Sequence, residues 1–275
     1  MPTFSIITVC YNEAAHIRET LDSIICQTCK DYELIVVDGG STDGTKNILE
    51  QYADHFVWWC SEPDKGIYNG MNKGVSHATG EYVIFMNGGD CFHDEHVLNQ
   101  VMRHGLTADI MEGNAVNKNT QQPIRQHIDN LEIQLITDCL SHQSTFIRRY
   151  LLNKFPYDER YKIAADWKFW LQTLLNDKHS YEFLSDIVVA DMDVTGITYS
   201  QLDRNKRERN EILAEFLPSG FATPLISILN EHHELTHNIL VNYAIYLDQY
   251  SPKSYQLLRK IAKRLVKLTK HRQQS

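Results

Sequence analysis

Residues 1–92 alternate between short apolar runs and segments in which apolar residues recur at every third or fourth position. Short apolar runs bounded by glycine or polar residues indicate buried strands, and the longer spacing indicates amphipathic helices. Strands that alternate with helices predict an α/β fold, in which helices cover both faces of a parallel sheet. The predicted strands are Phe4–Val9, Tyr32–Val37, Phe56–Cys60 and Tyr82–Met86.

Polar residues follow three of these strands, at the point where each strand ends. They occupy the stretches Thr8–Glu13, Asp38–Asp43 and Asn87–Asp90. The carboxyl ends of parallel strands share one edge of a sheet, and open α/β sheets bind ligands there. We therefore expect the three clusters to converge around one ligand. The alternative is that they are turn residues, although turns alone do not require an acid after every strand.

The turn Asn87–Asp90 contains two glycines, which allow the backbone to come close to a ligand. Its acid, Asp90, could hold a hard divalent cation. Mg²⁺ typically takes one or two protein carboxylates and fills its other positions with water and phosphate oxygens. The alternative is a surface turn in which Asp90 only caps the next helix.

A nucleotide, if one binds, is not held by a dinucleotide fingerprint or a phosphate-binding loop. No Gly-x-Gly-x-x-Gly opens a helix after the first strand, and no Walker pattern occurs. Asp38 is placed to accept hydrogen bonds from a base or a ribose, and Tyr11 could stack on a base.

The pattern becomes less regular after residue 92, and Leu131–Leu140 fits no single element. A polar group at Ser141–Phe146 stands beside an apolar segment. The predicted elements of this part are helix His96–Met102, strand Asp109–Val116, helix Ile163–Leu175 and a strand over residues 181–190.

Asp166 lies in the first turn of the predicted helix Ile163–Leu175, among alanine and tryptophan residues. Burial in this setting would raise the pKa of the Asp166 carboxylate and suit it to proton abstraction. The alternative is a carboxylate that only interacts with the helix dipole.

The C-terminal part is predicted to be mostly helical from Gln201 onward. Within Leu225–Tyr250, His232 and His233 have no carboxylate or third histidine at zinc spacing, which favours solvent-facing side chains. Tyr255–Leu268 is basic and amphipathic, which is typical of a helix on an anionic membrane surface. Packing against the acidic body of the chain is the alternative.

Composition narrows the class of protein. The chain has 275 residues, of which 43% are hydrophobic, enough for one large domain or for a domain with an appendage. No apolar run is long enough to cross a bilayer, and the chain enters a strand without a basic leader. The six cysteines include one C-x-x-C, at Cys26 and Cys29, and no second pair at zinc spacing. We expect a cytosolic protein whose cysteines have no metal or redox role.

Charge is distributed unevenly along the chain. The formal net charge is −8, but Lys253–Ser275 contains eight Lys or Arg and no acid, which leaves −16 for residues 1–252. An acidic body argues against a nucleic-acid binder of the basic-patch kind.

Several segments resemble a known family. FSIITVCYNE resembles the first strand and loop of the inverting family 2 glycosyltransferases, which have the GT-A fold, and YELIVVDGGSTDGT is similar to their second strand and turn. SEPDKGIYNGMNKG and ATGEYVIFMNGGD resemble a bacterial subgroup that builds cell-surface polysaccharides. HQSTF and AADWKFWL are weaker matches to the acceptor-side segments.

The resemblance implies a Rossmann-like, mostly parallel sheet flanked by helices, with a helical C-terminal extension. The expected GT-A domain covers residues 1–200, with a nucleotide-binding half at 1–92 and an acceptor half at 93–200. Residues 201–275 would form the extension with its basic tail.

The resemblance also implies roles for individual residues. Asp166 would deprotonate the acceptor hydroxyl, and Asp90 would hold a divalent metal ion, Mn²⁺ or Mg²⁺, that neutralises the diphosphate leaving group. His142 and Trp167 would lie on the acceptor side. The nucleotide sugar would be bound by Thr8, Tyr11, Glu13, Asp38, Asp64, Lys65 and Asn72.

The expected reaction moves a sugar from a nucleotide-diphosphate sugar to a hydroxyl of a glycan or lipid-linked acceptor, with inversion at the anomeric carbon. The expected donor is a UDP-sugar, and the expected place is the inner face of the membrane.

Two residues depart from the family pattern. Asp90 is the only carboxylate of its turn, so the diphosphate or His142 would have to complete the metal site. Ala165 stands where a glutamate often precedes the base. The alternative is a non-catalytic scaffold of the same fold that binds nucleotide or acceptor.

Overall fold

Eight strands form one mixed sheet in the computed structural model, which describes residues 1–125, 127–193 and 201–217. The bounds are β1 Phe4–Cys10, β2 Tyr32–Asp38, β3 Trp58–Ser61, β4 Tyr82–Phe85, β5 Cys91–Phe92, β6 Ile110–Asn117, β7 Thr145–Arg148 and β8 Tyr181–Met192. Their order across the sheet is β3-β2-β1-β4-β7-β6-β8-β5.

Helices connect the strands and cover the sheet. Their bounds are α1 Ile17–Ile25, α2 Thr45–Gln51, α3 Ile67–His77, α4 Val97–His104, α5 Leu131–Thr137, α6 Arg149–Lys154, α7 Ala165–Trp170 and α8 Leu202–Phe216. Two short 3₁₀ turns lie at Ala53–His55 and His142–Ser144, and α7 continues as a π-helical turn over Leu171–Asn176.

The four strands predicted in residues 1–92 are parallel, as expected, so their carboxyl ends lie at one edge of the sheet. Successive side chains of a strand point to opposite faces. Ile7 and Val9 accordingly pack into one buried cluster, with α3 and α7, and Ile6 packs into another, with α1 and α4. Burial on both faces explains why β1, β2 and β4 are mostly apolar.

The second half of the sheet is less regular. β7 runs antiparallel to both β4 and β6, and β8 runs parallel to β6 with two register shifts near Asn114. The sequence did not predict β5, β7 or α6. With two residues, β5 is too short to show a periodicity, and β7 and α6 follow each other without a turn. Leu131–Leu140 contains α5, and the predicted helix Ile163–Leu175 is α7 and its π-helical continuation.

The C-terminal segment is helical over α8, as predicted, and Ile212 and Leu213 of α8 pack into the same core cluster as Trp167. The predictions for Leu225–Tyr250 and Tyr255–Leu268 lie outside the described residues. Within the described part of the chain, no helix has both the length and the apolar character needed to span a bilayer.

Candidate functional site at the carboxyl edge of the sheet

Hydrogen bonds between side chains and backbone join the loops that follow β1 and β2. The N–H of Asn12 donates to Ser41 Oγ (2.7 Å), and the N–H of Thr42 donates to Asn12 Oδ1 (2.9 Å). The N–H of Ala14 donates to Asp43 Oδ2 (2.9 Å). Two of the three predicted polar clusters therefore form one continuous rim along the sheet edge.

Asp38 ends β2, beside Cys10 of β1 and Ser61 of β3, and is fully buried. Its Oδ1 accepts hydrogen bonds from the N–H (3.2 Å) and the hydroxyl of Ser41, and its Oδ2 accepts one from the hydroxyl of Ser61 (2.6 Å). The carboxylate thus orders the turn that follows β2. Recognition of a base or ribose by Asp38 stays a prediction.

Tyr11 and Glu13 flank the joined loops. Tyr11 is 61% exposed, so its ring is accessible for stacking. Glu13 lies against Gly88, where an added Cβ would come within 2.8 Å of Glu13 Cγ. Burial raises the pKa of Glu13, against the hydrogen bond with His16. The absence of a side chain at Gly88 therefore lets Glu13 lie directly beside the turn that carries Asp90.

Thr8 lies inside the fold. Its side chain is fully buried, and its hydroxyl has no hydrogen-bond partner among the described residues. Its predicted place at the nucleotide does not follow from this arrangement and stays a prediction.

Asp64 lies against the turn that follows β2, because a Cβ at Gly39 would come within 2.8 Å of Asp64 Oδ2. Lys65 is exposed. Asn72 donates from Nδ2 to the carbonyl of Tyr157 (2.9 Å) and accepts from the N–H of Tyr157 (2.9 Å). Asn72 therefore ties α3 to the loop before α7, and this arrangement does not support its predicted contact with the nucleotide sugar.

Asp90 closes the turn after β4 and is buried. Its N–H donates to the carbonyl of Asn87 (3.0 Å), and its Oδ1 accepts the N–H of Asp193 (3.2 Å). Burial raises the pKa of Asp90 to about 6; the positive charge of His142, when that ring is protonated, and a hydrogen bond from Gln143 act in the opposite direction. A buried carboxylate that is costly to ionise is a group that a cation would stabilise.

The surroundings of Asp90 are acidic. The charge of Asp193 raises the pKa of both Asp90 and Glu13, which places the three acids near one another. Among the residues that the structure describes, no group of three or more His, Cys, Asp or Glu side chains has the arrangement of a complete metal site. One carboxylate completed by phosphate and water oxygens is nevertheless a donor set that Mg²⁺ accepts, so Asp90 fits the predicted role.

Asp166 is buried at the start of α7, where the Cys139 thiol (3.9 Å from Oδ2) and three nitrogen or oxygen groups contact its carboxylate. Oδ1 lies 2.8 Å from the hydroxyl of Tyr68 and accepts the N–H of Trp167 (2.8 Å). Oδ2 lies 3.2 Å from Nδ1 of His142. The Tyr68 hydroxyl also lies 2.6 Å from the carbonyl of Ile163, so its one proton is shared between two acceptors.

The predicted direction of the Asp166 pKa shift was wrong. Burial does act to raise the pKa, but the hydrogen bond with His142, the charge of that ring when it is protonated, and the Tyr68 hydroxyl together lower it below the usual value. Hydrogen bonds to the charged form outweigh desolvation here. Asp166 is therefore held as a carboxylate at neutral pH.

His142 joins Asp166 to the turn after β4. Its Nδ1 faces Asp166, and its Nε2 lies 3.2 Å from Nδ2 of Asn87. The base candidate and the turn of Asp90 consequently belong to one hydrogen-bonded network, although they are far apart in sequence.

Glu112 of β6 supports the loop that carries His142. Its carboxylate accepts the N–H of Ser141 (3.1 Å) and the hydroxyl of Tyr181 (2.7 Å). Burial raises the pKa of Glu112 to about 7, against these two hydrogen bonds.

Trp167 lies in the hydrophobic core. It is 2% exposed, its Nε1 donates to the carbonyl of Leu135 (2.6 Å), and the guanidinium of Arg209 lies 4.2 Å from the centroid of its ring. The structure thus makes Trp167 a core residue that fixes α7, and it does not support the predicted contact with an acceptor.

Helix α8 also holds the segment that leads into α7. The Glu208 carboxylate accepts the backbone N–H groups of Lys162 (2.9 Å), Ile163 (2.8 Å) and Ala164 (3.1 Å). These donors lie just before the first turn of α7, where a negative charge is favourable. The C-terminal segment therefore fixes the position of Asp166.

Sequence reasoning missed Tyr68, Glu112, Asp193 and Glu208. Asp193 follows β8, which runs in the same direction as β1. It is therefore an acid at the carboxyl end of a strand, which is the same pattern that pointed to Asp38. Glu112 is a lone acid in a predicted strand, which is also a readable signal. For Tyr68 and Glu208 no local pattern exists, since their partners lie elsewhere in the chain.

Known proteins match both the sequence and the fold. The family described as Glycosyl transferase family 2 matches residues 5–155. A PGL/p-HBAD biosynthesis glycosyltransferase of Mycobacterium bovis is 31% identical over 215 residues, which are 76% of this chain and 84% of the relative.

Two solved structures have the same fold. Staphylococcus aureus TarS 1–349 in complex with UDP-GlcNAc aligns with a TM-score of 0.65 at 20% identity, over 93% of this chain and 78% of TarS 1–349. The mannosyltransferase PcManGT of Pyrobaculum calidifontis, in complex with GDP-Man and Mn²⁺, aligns with a TM-score of 0.59 at 17% identity, over 97% of this chain and 86% of that chain.

The sheet with its polar carboxyl edge is the GT-A arrangement that the sequence predicted. The chain belongs to glycosyltransferase family 2, and it is a transferase of that class.

Proposed function

We propose that this glycosyltransferase moves a sugar from a nucleotide-diphosphate sugar to a hydroxyl group of a glycan or lipid-linked acceptor, with inversion at the anomeric carbon. The proposed donor is a UDP-sugar. The proposed role is in the biosynthesis of a cell-surface polysaccharide. The proposal is carried by the path from Asp166 through His142 to Asn87, which links an ionised carboxylate to the turn of Asp90. A base on one side and a diphosphate site on the other are what such a substitution requires.

Asp166, Tyr68 and Trp167 have distinct proposed roles in the transfer. Asp166 accepts the proton of the acceptor hydroxyl while the acceptor oxygen forms its bond to the anomeric carbon. The bond from that carbon to the diphosphate oxygen breaks on the opposite face, and its electron pair leaves with the diphosphate. Attack opposite to the leaving group gives inversion. Tyr68 and the N–H of Trp167 hold the Asp166 carboxylate in place for this transfer.

Asp90 would hold a divalent metal ion. A bound Mn²⁺ or Mg²⁺ acts as a Lewis acid that neutralises charge on the diphosphate. Support comes from the buried carboxylate itself, with its raised pKa, and from the Mn²⁺ in the structure of PcManGT. The UDP-GlcNAc in the structure of TarS supports a UDP-sugar as donor.

Calorimetry of UDP binding with and without Mn²⁺, beside a transfer assay over a panel of nucleotide sugars, tests the donor and the metal together. We expect UDP binding to be strengthened by Mn²⁺ in wild type and in the exposed control Asp54→Asn, and not in Asp90→Asn. Because burial raises the Asp90 pKa to about 6, the Mn²⁺ effect should fade as the pH drops below that value. Equal Mn²⁺ effects in all three proteins would contradict the metal assignment.

The same experiment separates the second candidate function. A non-catalytic scaffold is favoured by the single carboxylate of the Asn87–Asp90 turn. Nucleotide binding without turnover of any donor in the panel would favour the scaffold, and turnover would exclude it.

We also propose domain boundaries and a location at the membrane for this protein. Residues 1–200 would be the GT-A domain and residues 201–275 an extension whose basic segment Tyr255–Leu268 docks on anionic lipid at the inner face of the membrane. Deletion of Ser254–Ser275 should then move the protein from the membrane fraction to the soluble fraction at low salt. An unchanged distribution would exclude the tail as the anchor.

A further inference from the structure

Asn87 connects strand β1 to His142 through the two ends of its side-chain amide. Asn87 is buried, with 6% of its surface exposed. Its Oδ1 lies 3.3 Å from the backbone nitrogen of Val9, and its Nδ2 lies 3.2 Å from Nε2 of His142. The side chain therefore makes a contact at each end inside the fold.

The contact with Val9 fixes which way the amide points. A backbone N–H can only donate, so the group that faces it must be the amide oxygen. The amide NH₂ group of Asn87 then faces His142, and it can only donate as well. Nε2 of His142 must accept, which means that it carries no proton.

The contact with Asp166 fixes the other ring nitrogen. The Asp166 carboxylate is ionised and can only accept, and Nδ1 of His142 lies 3.2 Å from its Oδ2. Nδ1 must therefore carry the ring proton. With Nε2 unprotonated and Nδ1 protonated, the ring is neutral and in a single tautomer.

We propose that Asn87 is a positioning residue that holds His142 as the neutral Nδ1–H tautomer, and that this tautomer orients the Asp166 carboxylate for the proton of the acceptor. The inference rests on the proposed role of Asp166. It assigns to Asn87, in the turn that carries Asp90, a function other than metal binding.

The neutral tautomer has a consequence for the base. A neutral imidazole donates one hydrogen bond to Oδ2, whereas an imidazolium beside the same oxygen would reduce its affinity for a further proton. His142 thus fixes the direction of the carboxylate while leaving it able to accept a proton. The opposite tautomer would turn a lone pair toward the Asp166 carboxylate and lose the contact.

Long-range ¹H–¹⁵N correlation spectra of the full chain at pH 7 test the tautomer directly. The chain has 13 histidines, and the His142→Asn variant identifies the signals of His142 by their loss. We expect a protonated Nδ1 and an unprotonated Nε2. A protonated Nε2, alone or together with Nδ1, would overturn the proposal. In Asn87→Asp, which keeps an acceptor for Val9 but replaces the donor, Nε2 should gain a proton; an unchanged ring would also overturn it.

Two substitutions of His142 provide a kinetic test with a matched control. The amide of asparagine reaches the position of Nδ1, and that of glutamine reaches the position of Nε2. We expect His142→Asn to retain a kcat about tenfold above that of His142→Gln, a difference of about 1.4 kcal/mol, with similar donor KM values. Equal kcat values would contradict the proposal. Failure of the proposed function is distinguishable, because wild type would then turn over no donor, or Asp166→Asn would transfer sugar as fast as wild type, whatever the tautomer.

Discussion

The hydroxyl of Tyr68 lies 2.8 Å from Oδ1 of Asp166, although the two residues are 98 positions apart in the chain. This contact joins α3, in the half predicted to bind the nucleotide, to α7, which carries the base. It is also one of the hydrogen bonds that lower the Asp166 pKa.

Replacement of Tyr68 by phenylalanine should raise the Asp166 pKa, because a donor to the charged form is lost. Since the base acts as a carboxylate, the acid limb of the pH profile of kcat/KM should move to higher pH. The matched control is Tyr150→Phe, which removes a surface hydroxyl that bonds to Asp109 (2.9 Å). An acid limb that stays in place in Tyr68→Phe, or moves to lower pH, would count against Asp166 as the base.

Replacement of Glu208 by alanine should destabilise the fold and slow the reaction. The backbone N–H groups of Lys162, Ile163 and Ala164 would lose a charged acceptor, at a cost on the order of 3 kcal/mol in the free energy of unfolding. Urea unfolding measures this change, and kcat should fall because the start of α7 is no longer fixed.

The control for Glu208 is Glu211→Ala on the exposed face of the same helix. Glu208→Gln retains one acceptor oxygen and should fall between wild type and the alanine variant. If Glu208→Ala and Glu211→Ala unfold at the same urea concentration with the same kcat, the extension has no part in positioning Asp166.

Replacement of Glu112 by glutamine should stabilise the protein above neutral pH. Glutamine keeps both contacts, since its oxygen can accept from Ser141 and its amide can donate to the Tyr181 oxygen. The Glu112 pKa is about 7 in the fold against an ordinary value of 4.5, so wild type loses stability as the pH rises from 4.5 to 7, and the loss is complete above that range.

Urea unfolding of wild type, Glu112→Gln and the exposed control Glu50→Gln at pH 4.5 and pH 8 checks this sign. Glu112→Gln should match wild type at pH 4.5 and exceed it at pH 8 by on the order of 2 kcal/mol in the free energy of unfolding. A variant that is less stable than wild type at pH 8 would show that the charged form of Glu112 supports the fold.

The sequence predicted the first half of the fold well because β1, β2 and β4 are buried on both faces and each is followed by a polar turn, while β3 is a short apolar run at the sheet edge. Such strands carry their signal locally. β5 and β7 carry none, since a two-residue strand has no periodicity and β7 passes directly into α6. Their positions depend on pairing with distant strands.

The candidate site was predictable in position more than in detail. Asp38, Asp90 and Asp166 could be proposed from strand ends and from a helix start, but donors such as Ser61, Tyr68 and His142 come from distant segments. The predicted rise of the Asp166 pKa was wrong for this reason, because burial was visible in the sequence and the contacts with His142 and Tyr68 were not. The contacts of Asn72 with Tyr157 and of Trp167 with Leu135 were not visible in the sequence either, and the roles predicted for these two residues stay predictions.

Sugar transfer is predicted to depend most on Asp166, as the group that takes the acceptor proton. The direct measurement is the rate of sugar transfer by Asp166→Asn beside Asp186→Asn, an exposed control with the same chemical change. We predict that kcat falls about 10²- to 10⁴-fold in Asp166→Asn, that UDP affinity is unchanged, and that Asp186→Asn transfers sugar at the wild-type rate. Transfer by Asp166→Asn at a rate close to that of the control would contradict the account.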